Sequence, residues 1–234
     1  MLDAGYSYKA ILRALEDREL TPNDIDAILI THEHADHIAA LPYWGKSRNT
    51  PIYAPAPIAD YLRQRVYFCE VREICGSFSV GGVSVDVYEC SHDARSCYGY
   101  RFSCGEARFA CVTDTGCYGS DLIEFLSPCR AIMLESNHDE NMLVKGEYPY
   151  PLKRRILSPY GHLSNAQAAQ IVRELAHSCV KTIVLAHLSE NNNTKELAFN
   201  ATVEALHACG LTEGRDVTVH VVDQYENEVT ICVE

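Results

Sequence analysis

Four potential metal ligands fall within six residues at His32-x-His34-x-Asp36-His37, directly after the apolar run Ile25–Ile30. Side chains this polar, crowded where a strand hands over to a helix, cannot all be buried on ordinary hydrogen bonds. The chain must fold so that a buried strand delivers its end to a shared site. Histidines at i and i+2 of an extended turn point the same way and can share one metal. Asp36 and His37, just beyond, are offset enough to serve a second.

Three further candidates follow apolar strands: His92 in Cys90-Ser91-His92-Asp93, Asp114 in Thr113-Asp114-Thr115-Gly116 and His187 in Leu185-Ala186-His187-Leu188. Strand ends that feed one rim of an α/β sheet are where ligands collect. A lone histidine of this kind is more often a hydrogen-bonded or surface residue. Seven groups, each placed after an apolar strand, point instead to a site.

The rest of the pattern alternates short strands with amphipathic helices. Helices are expected over 8–15, 38–44, 58–66, 121–127, from the Ser164/Gln167 capping box to His177, and over 194–208 with Asn193 and Glu196 able to cap it. Thr21-Pro22 reads as a cap followed by a first-turn proline. Strands are expected at 25–30, 51–54, 131–135, 182–186, 217–222 and 229–233. Between Ser79 and Thr113 the period falls to two, predicting three or four antiparallel strands with turns at Gly81-Gly82 and Gly105-Glu106. With no repeat or linker, one α/β domain over 1–234 is the economical reading.

Composition narrows the class. At 234 residues, a formal charge of −12 argues against a broad basic face for nucleic acid, but bound divalent cations can supply local positive charge. The longest apolar runs fall short of the roughly 18 residues of a membrane span. The first twenty residues carry acids where an export signal has a basic leader, which predicts a cytoplasmic protein without membrane contact. The 11 cysteines are odd in number and contain no C-x-x-C pair. They are therefore expected to be reduced and to serve as small buried hydrophobes.

The set H-x-H-x-D-H, then His, Asp and His, resembles the metallo-β-lactamase superfamily in its dinuclear hydrolase form. That resemblance implies a four-layer αβ/βα sandwich. It makes His32, His34 and His92 the ligands of one metal and Asp36, His37 and His187 those of another, with Asp114 bridging. Two divalent ions about 3.5–4 Å apart activate a water and neutralise the charge of an in-line displacement. Histidine and carboxylate donors suit Zn, Mn or Fe.

Two more strings narrow the branch. Glu135-Ser136-Asn137-His138-Asp139 ends a strand and Gly161-His162-Leu163-Ser164-Asn165 opens a capped helix. In the ribonuclease Z-like phosphodiesterases, which these strings resemble, a Glu and a His at such positions pair to protonate the leaving oxygen. Glu135 and His162 match, and a carboxylate beside His162 favours its charged form. Together with Tyr148–Ile156 and Leu185–Asn192, these strings resemble the YycJ/WalJ group of bacterial proteins. The resemblance implies a 5′-to-3′ exonuclease acting on DNA, with RNA second, and Asp36 also able to orient the attacking water. The alternative within the superfamily is a thioesterase or a small phosphodiesterase.

The basic run Lys153-Arg154-Arg155 is expected either to contact phosphate beside the metals or to form a solvated helix face. Tyr148, Tyr150 and Tyr160 are expected to pack rather than to stack on bases, and Trp44 has a rim position open to it. In the family, a strand pair and a loop precede the segment matching Leu2-Asp3-Ala4-Gly5. The chain is accordingly expected to start inside that strand.

Overall fold

Hydrophobic spacing sets most elements close to where the sequence places them. The computed structural model describes residues 1–47, 49–223 and 230–233. Its chain divides into two units, Met1–Glu89 with Ala94–Tyr98 and Cys90–Asp93 with Gly99–Glu234.

In the first unit, α1 (Tyr8–Glu16) is capped by Ser7, whose hydroxyl accepts from Ala10 N. A 3₁₀ turn at Pro22–Asp24 is closed by a capping box between Thr21 and Asp24. β1 is only Ile28–Leu29, shorter than the expected 25–30, because Ile25 is used to close that turn. Next come α2 (Ala35–Ile38), α3 (Leu41–Ser47), β2 (Ile52–Pro55), α4 (Ala56–Arg63), β3 (Val71–Ile74) and the hairpin β4 (Phe78–Val80) and β5 (Val83–Glu89). Strands β1, β2 and β3 form a parallel sheet in that order. The hairpin turns at Gly81-Gly82, both at positive φ (56° and 83°), the conformation that glycine takes without steric cost.

The single helix expected over 38–44 is two helices. Ala4 is the cause: its N–H takes the His37 carbonyl (2.7 Å) and its carbonyl accepts from Ala40 N (2.9 Å), so the backbone groups that would continue α2 are engaged elsewhere. Gly5 is held against the same helix, where a Cβ would meet Asp36 O at 1.4 Å. Trp44 lies in the core with Ile28, Ile52, Ile58 and Leu62 and meets Tyr8 edge-on at 5.8 Å, which corrects the rim reading.

The second unit holds β6 (Tyr98–Cys104, from Gly99 on), β7 (Ala107–Val112), α5 (Ser120–Leu126), β8 (Ala131–Glu135), α6 (Glu140–Lys145), α7 (Tyr150–Ile156), α8 (Asn165–Glu174), β9 (Thr182–Ala186), α9 (Lys195–Ala208) and β10 (Thr218–Val221). Its strands run in the order β10-β9-β8-β7-β6, parallel except for the β6–β7 hairpin. Leu122, Leu126, Ile132, Leu134, Ile171 and Leu206 are buried, each worth about 1.5–3 kcal/mol. The capping box at Ser164 and Gln167 forms as expected. Helix α9 is capped by Thr194 rather than Asn193, whose side-chain Oδ1 instead accepts from Thr194 N. The expected strand 229–233 begins outside the described residues, and 230–233 carry no strand.

Register is what positions the site. Cys111–Val112 lie beside Met133–Leu134, and Leu134–Glu135 beside Leu185–Ala186. The carboxyl ends of β7, β8 and β9 are therefore level, so Asp114, Glu135 and His187 arrive at one rim. Among the described residues no cysteine is in a disulfide, but only Cys90, Cys97, Cys111 and Cys129 are buried, and Cys75, Cys104, Cys117, Cys179 and Cys232 are exposed. The expectation of buried cysteines thus holds for a minority of them. Among the described residues, no helix is long and apolar enough to cross a membrane.

Candidate metal centre and proton-donor pair

In the first unit the site begins with Asp3. Its two oxygens accept from Thr31 N and Thr31 Oγ1, both at 2.8 Å, and Oδ2 lies 2.7 Å from His37 Nδ1. With its proton given to Asp3, the Thr31 hydroxyl can only accept from His32 Nδ1 at 3.0 Å. This network assigns Nδ1–H to both His32 and His37 and leaves each Nε2 with a lone pair. His32 Nε2 meets His34 Nδ1 at 3.0 Å, and His37 Nε2 lies 3.7 Å from Asp36 Oδ2. His32 and His37 are buried, whereas the Asp36 side chain is 70% exposed.

In the second unit His92 and Asp114 are buried side by side, and His187 stands at the end of β9. His92 Nδ1 donates to Gly161 O (3.1 Å), so its Nε2 carries the lone pair, 3.9 Å from Asp114 Oδ1. His187 Nδ1 donates to Glu135 Oε1 (2.7 Å), and its Nε2 lies 3.4 Å from the same Asp114 oxygen. Burial lowers the His92 pKa despite the Asp114 charge, which keeps the imidazole neutral, the form that ligates. His92 Nε2 and His187 Nε2 thus both face the same Asp114 oxygen. Asp114, Glu135, His162 and His187 offer ligand atoms within 4.8 Å of one another, and such nitrogen and oxygen donors suit a borderline divalent metal.

Glu135 anchors this rim. Fully buried, it accepts from His162 Nδ1 (2.8 Å) and His187 Nδ1 at Oε1, and from Thr115 N and Leu163 N, each at 3.0 Å, at Oε2. Burial alone would raise its pKa, but the two imidazole donors outweigh burial and hold the carboxyl below its usual range. A cavity of about 510 Å³ opens beside His162 and His187, walled by Leu152, Ile156 and Leu188, with Tyr148, Arg155 and Asn191 among its polar lining.

The model of the beta-lactamase superfamily domain matches residues 1–188, from Asp3 to His187 and beyond. The exodeoxyribonuclease YycJ of Bacillus anthracis is 34% identical over 95% of this chain and 86% of its own. This chain belongs to the metallo-β-lactamase superfamily, in its YycJ/WalJ branch. The exodeoxyribonuclease WalJ of Streptococcus pneumoniae is also 34% identical, over 94% of this chain and 84% of its own. Among solved structures, the metallo-β-lactamase fold protein YhfI of Bacillus subtilis matches with a TM-score of 0.70 at 16% identity, covering 94% of this chain and 83% of that one. The protein is a hydrolase of this superfamily, and membership implies bound divalent metal.

Other parts of this metallo-hydrolase site went unseen in the sequence. Asp3 and Thr31 orient the first-unit histidines, and the acid followed by two small residues at Asp3-Ala4-Gly5 was the available signal. Buried amides fix the second-unit rim. Asn137 Nδ2 donates to His187 O (2.8 Å), Asn193 Nδ2 donates to Ser136 O (2.8 Å), and Ser136 Oγ donates to Asn165 Oδ1 (2.7 Å). Asp3, Asp114 and His187 all take positive φ (50°, 58° and 60°), a conformation costly for residues with a Cβ and one that the surrounding bonds must hold.

The basic run divides its roles. Lys153 Nζ donates to the Val144 and Gly146 carbonyls at the end of α6, Arg154 lies 6.0 Å from the Tyr150 ring, and Arg155 pairs with Asp93 and lines the cavity. Tyr150 and Tyr160 are exposed rather than packed, and Tyr148 OH accepts from Asn191.

Proposed function

We propose that this hydrolase is a two-metal phosphodiesterase that removes nucleotides from DNA in the 5′-to-3′ direction, with RNA the lesser substrate. In this reading His32, His34 and His92 would hold one ion and Asp36, His37 and His187 the other, with Asp114 shared between them. Two supports are the matched domain, which spans both sets of ligands, and the relatives named as exodeoxyribonucleases at 34% identity.

The observation that carries it is Glu135, a buried carboxylate that accepts from both His187 and His162. The bound ions would supply an activated water and neutralise the charge of the displacement. Asp36, exposed beside His37, would orient that water. Glu135 fixes the His162 ring through Nδ1, so Nε2 is the atom that hands a proton to the leaving oxygen, and the carboxylate compensates the charge of the imidazolium. Arg155, on the cavity wall, meets the phosphate, while Lys153 and Arg154 flank it on α7.

The test is digestion of 5′- and 3′-labelled DNA and RNA by protein loaded with Mn or Zn. Mononucleotides should leave from the 5′ end. His162→Ala should lose about 10²–10⁴-fold in turnover with its metal content intact, and Asp114→Asn should lose the metal. A His162→Ala enzyme as fast as the parent on labelled DNA removes the proton-donor role. Hydrolysis of a glutathione thioester with no phosphodiester cleavage moves the protein to the small-molecule branch.

A further inference from the structure

We propose that an aromatic and basic strip on the first unit, leading from Glu33 of the metal loop to Tyr67 and Phe68, binds the single strand of nucleic acid that extends from the cleaved end. The inference rests on the nuclease reading above and adds where the uncleaved part of the substrate lies.

Charge is the first observation. The chain carries 32 acids against 20 basic residues, yet from Ile38 to Cys69 it has Lys46, Arg48, Arg63 and Arg65 and the single acid Asp60. Arg63 is paired with Asp60 and Glu73, so the local charge rests on Lys46 and Arg65. A locally cationic stretch in a strongly acidic chain is what a polyanion would seek.

Continuity is the second. Arg95 N donates to Glu33 Oε1 (2.9 Å), between His32 and His34 in sequence, and its guanidinium lies 5.4 Å from the Tyr61 ring centroid. Arg65 sits over the same ring at 3.7 Å. One residue earlier, Gln64 O accepts from Tyr67 OH (3.3 Å). The Tyr67 carbonyl in turn crosses Gly45 so closely that a Cβ there would meet it at 2.4 Å, which brings the α3 segment bearing Tyr43 alongside. Contacts therefore lead from the metal loop to Tyr67, with Phe68 next to it in sequence and Tyr43 two residues before Gly45.

The third is the rings themselves. Tyr43, Tyr67 and Phe68 are 58%, 65% and 76% exposed. Phe68 also takes a φ of 74°, so a bulky residue occupies a strained backbone conformation while its side chain stands in water. The fold gains little apolar burial from that arrangement. A single strand does, because its bases stack on such rings while cations between them meet its phosphates. A protein partner would need rings but not the cations, and a membrane would need more apolar area than three rings offer.

The experiment compares the metal-loaded parent with a Tyr67→Ala/Phe68→Gly double variant, with Tyr43→Ala and with Arg65→Gln. Two substrates are used, an oligo-dT of twenty nucleotides and the p-nitrophenyl ester of thymidine 5′-phosphate. Binding of fluorescent oligo-dT of four and twenty nucleotides is followed by anisotropy. The parent should bind the longer strand more tightly. Each ring removed should raise KM for it about tenfold, at near-parental kcat and with the ester hydrolysed at the parental rate. Arg65→Gln should lower the salt slope of binding by about 0.7.

Parental KM and length dependence in both the double variant and Tyr43→Ala overturn the inference, as does equal affinity of the parent for a blunt duplex. A parallel fall on the ester in all three variants assigns these residues to the fold and overturns it equally. A parent that binds the long strand through these rings but cleaves no phosphodiester retains the strip and sinks the nuclease reading instead.

Discussion

Replacing Glu135 by Gln changes one oxygen to a nitrogen, yet the surroundings make it a severe test. Four N–H groups converge on the carboxylate, two from imidazoles and two from the backbone of Thr115 and Leu163. The backbone donors cannot turn, so the amide oxygen of Gln must face them and its NH₂ must face the imidazoles. Both rings must then present a bare Nδ1, and the proton of His187 moves to Nε2. That nitrogen, 3.4 Å from Asp114 Oδ1, loses the lone pair it would offer a metal.

Two consequences can be sized. Charge-assisted bonds are worth about 1.5–3 kcal/mol and neutral ones about 0.5–1.5, so weakening four of them costs roughly 4–6 kcal/mol. Loss of the partner that fixes a ligating histidine costs about 10–100-fold in metal affinity. Urea denaturation of chelated protein reads the first, and competitive metal titration reads the second. A Glu135→Gln protein that binds metal as tightly as the parent would refute the assignment of the His187 tautomer. A denaturation midpoint within error of the parent would refute the count of bonds.

Asp3→Asn removes the acceptor of His37 Nδ1 and one acceptor of Thr31, and should weaken metal binding about 10–100-fold by the same titration. Gly116→Ala puts a Cβ within 2.4–2.5 Å of Gly161 N and the Pro159 carbonyl, so it should destabilise by about 1–3 kcal/mol in urea and misplace His162. His138 is buried, neither ring nitrogen finds a partner among the described residues, and burial lowers its pKa against the pull of Glu135. The unfolded chain then binds that proton more readily, so the parent loses stability as pH falls below about 6.5 toward the lowered folded value. His138→Leu should lack this part of the loss, and the urea midpoints of variant and parent should converge or cross between about pH 6.5 and 5. Parallel profiles would rule it out.

Strands β8 and β9 were legible to the residue because their apolar runs are bounded by Arg130 and Lys181. The Gly81-Gly82 hairpin was legible because few other residues fit its backbone. What escaped were effects of distant partners. Ala4 splits a helix thirty residues away, and Asp3, which reads as a strand residue, holds the histidines of a later loop. The candidate ligands are visible in sequence because each follows an apolar run. The groups that hold them, Thr31 and the amides Asn137, Asn165 and Asn193, have ordinary local surroundings and gain their meaning only from pairing across the chain. Tyr150 and Tyr160 show the converse: aromatic content favoured packing, but short α7 leaves them outside.

The left-handed backbone at Asp3, Asp114 and His187 bears on how mutational surveys of this enzyme should be interpreted. At these three positions most replacements would fail for reasons of main-chain geometry before any chemistry is probed, and an alanine or valine variant would conflate the two. Asparagine and glycine tolerate the conformation. They are the informative substitutions for an inactive protein that still captures its substrate, and a saturation library scored by activity alone would overstate the catalytic importance of all three sites.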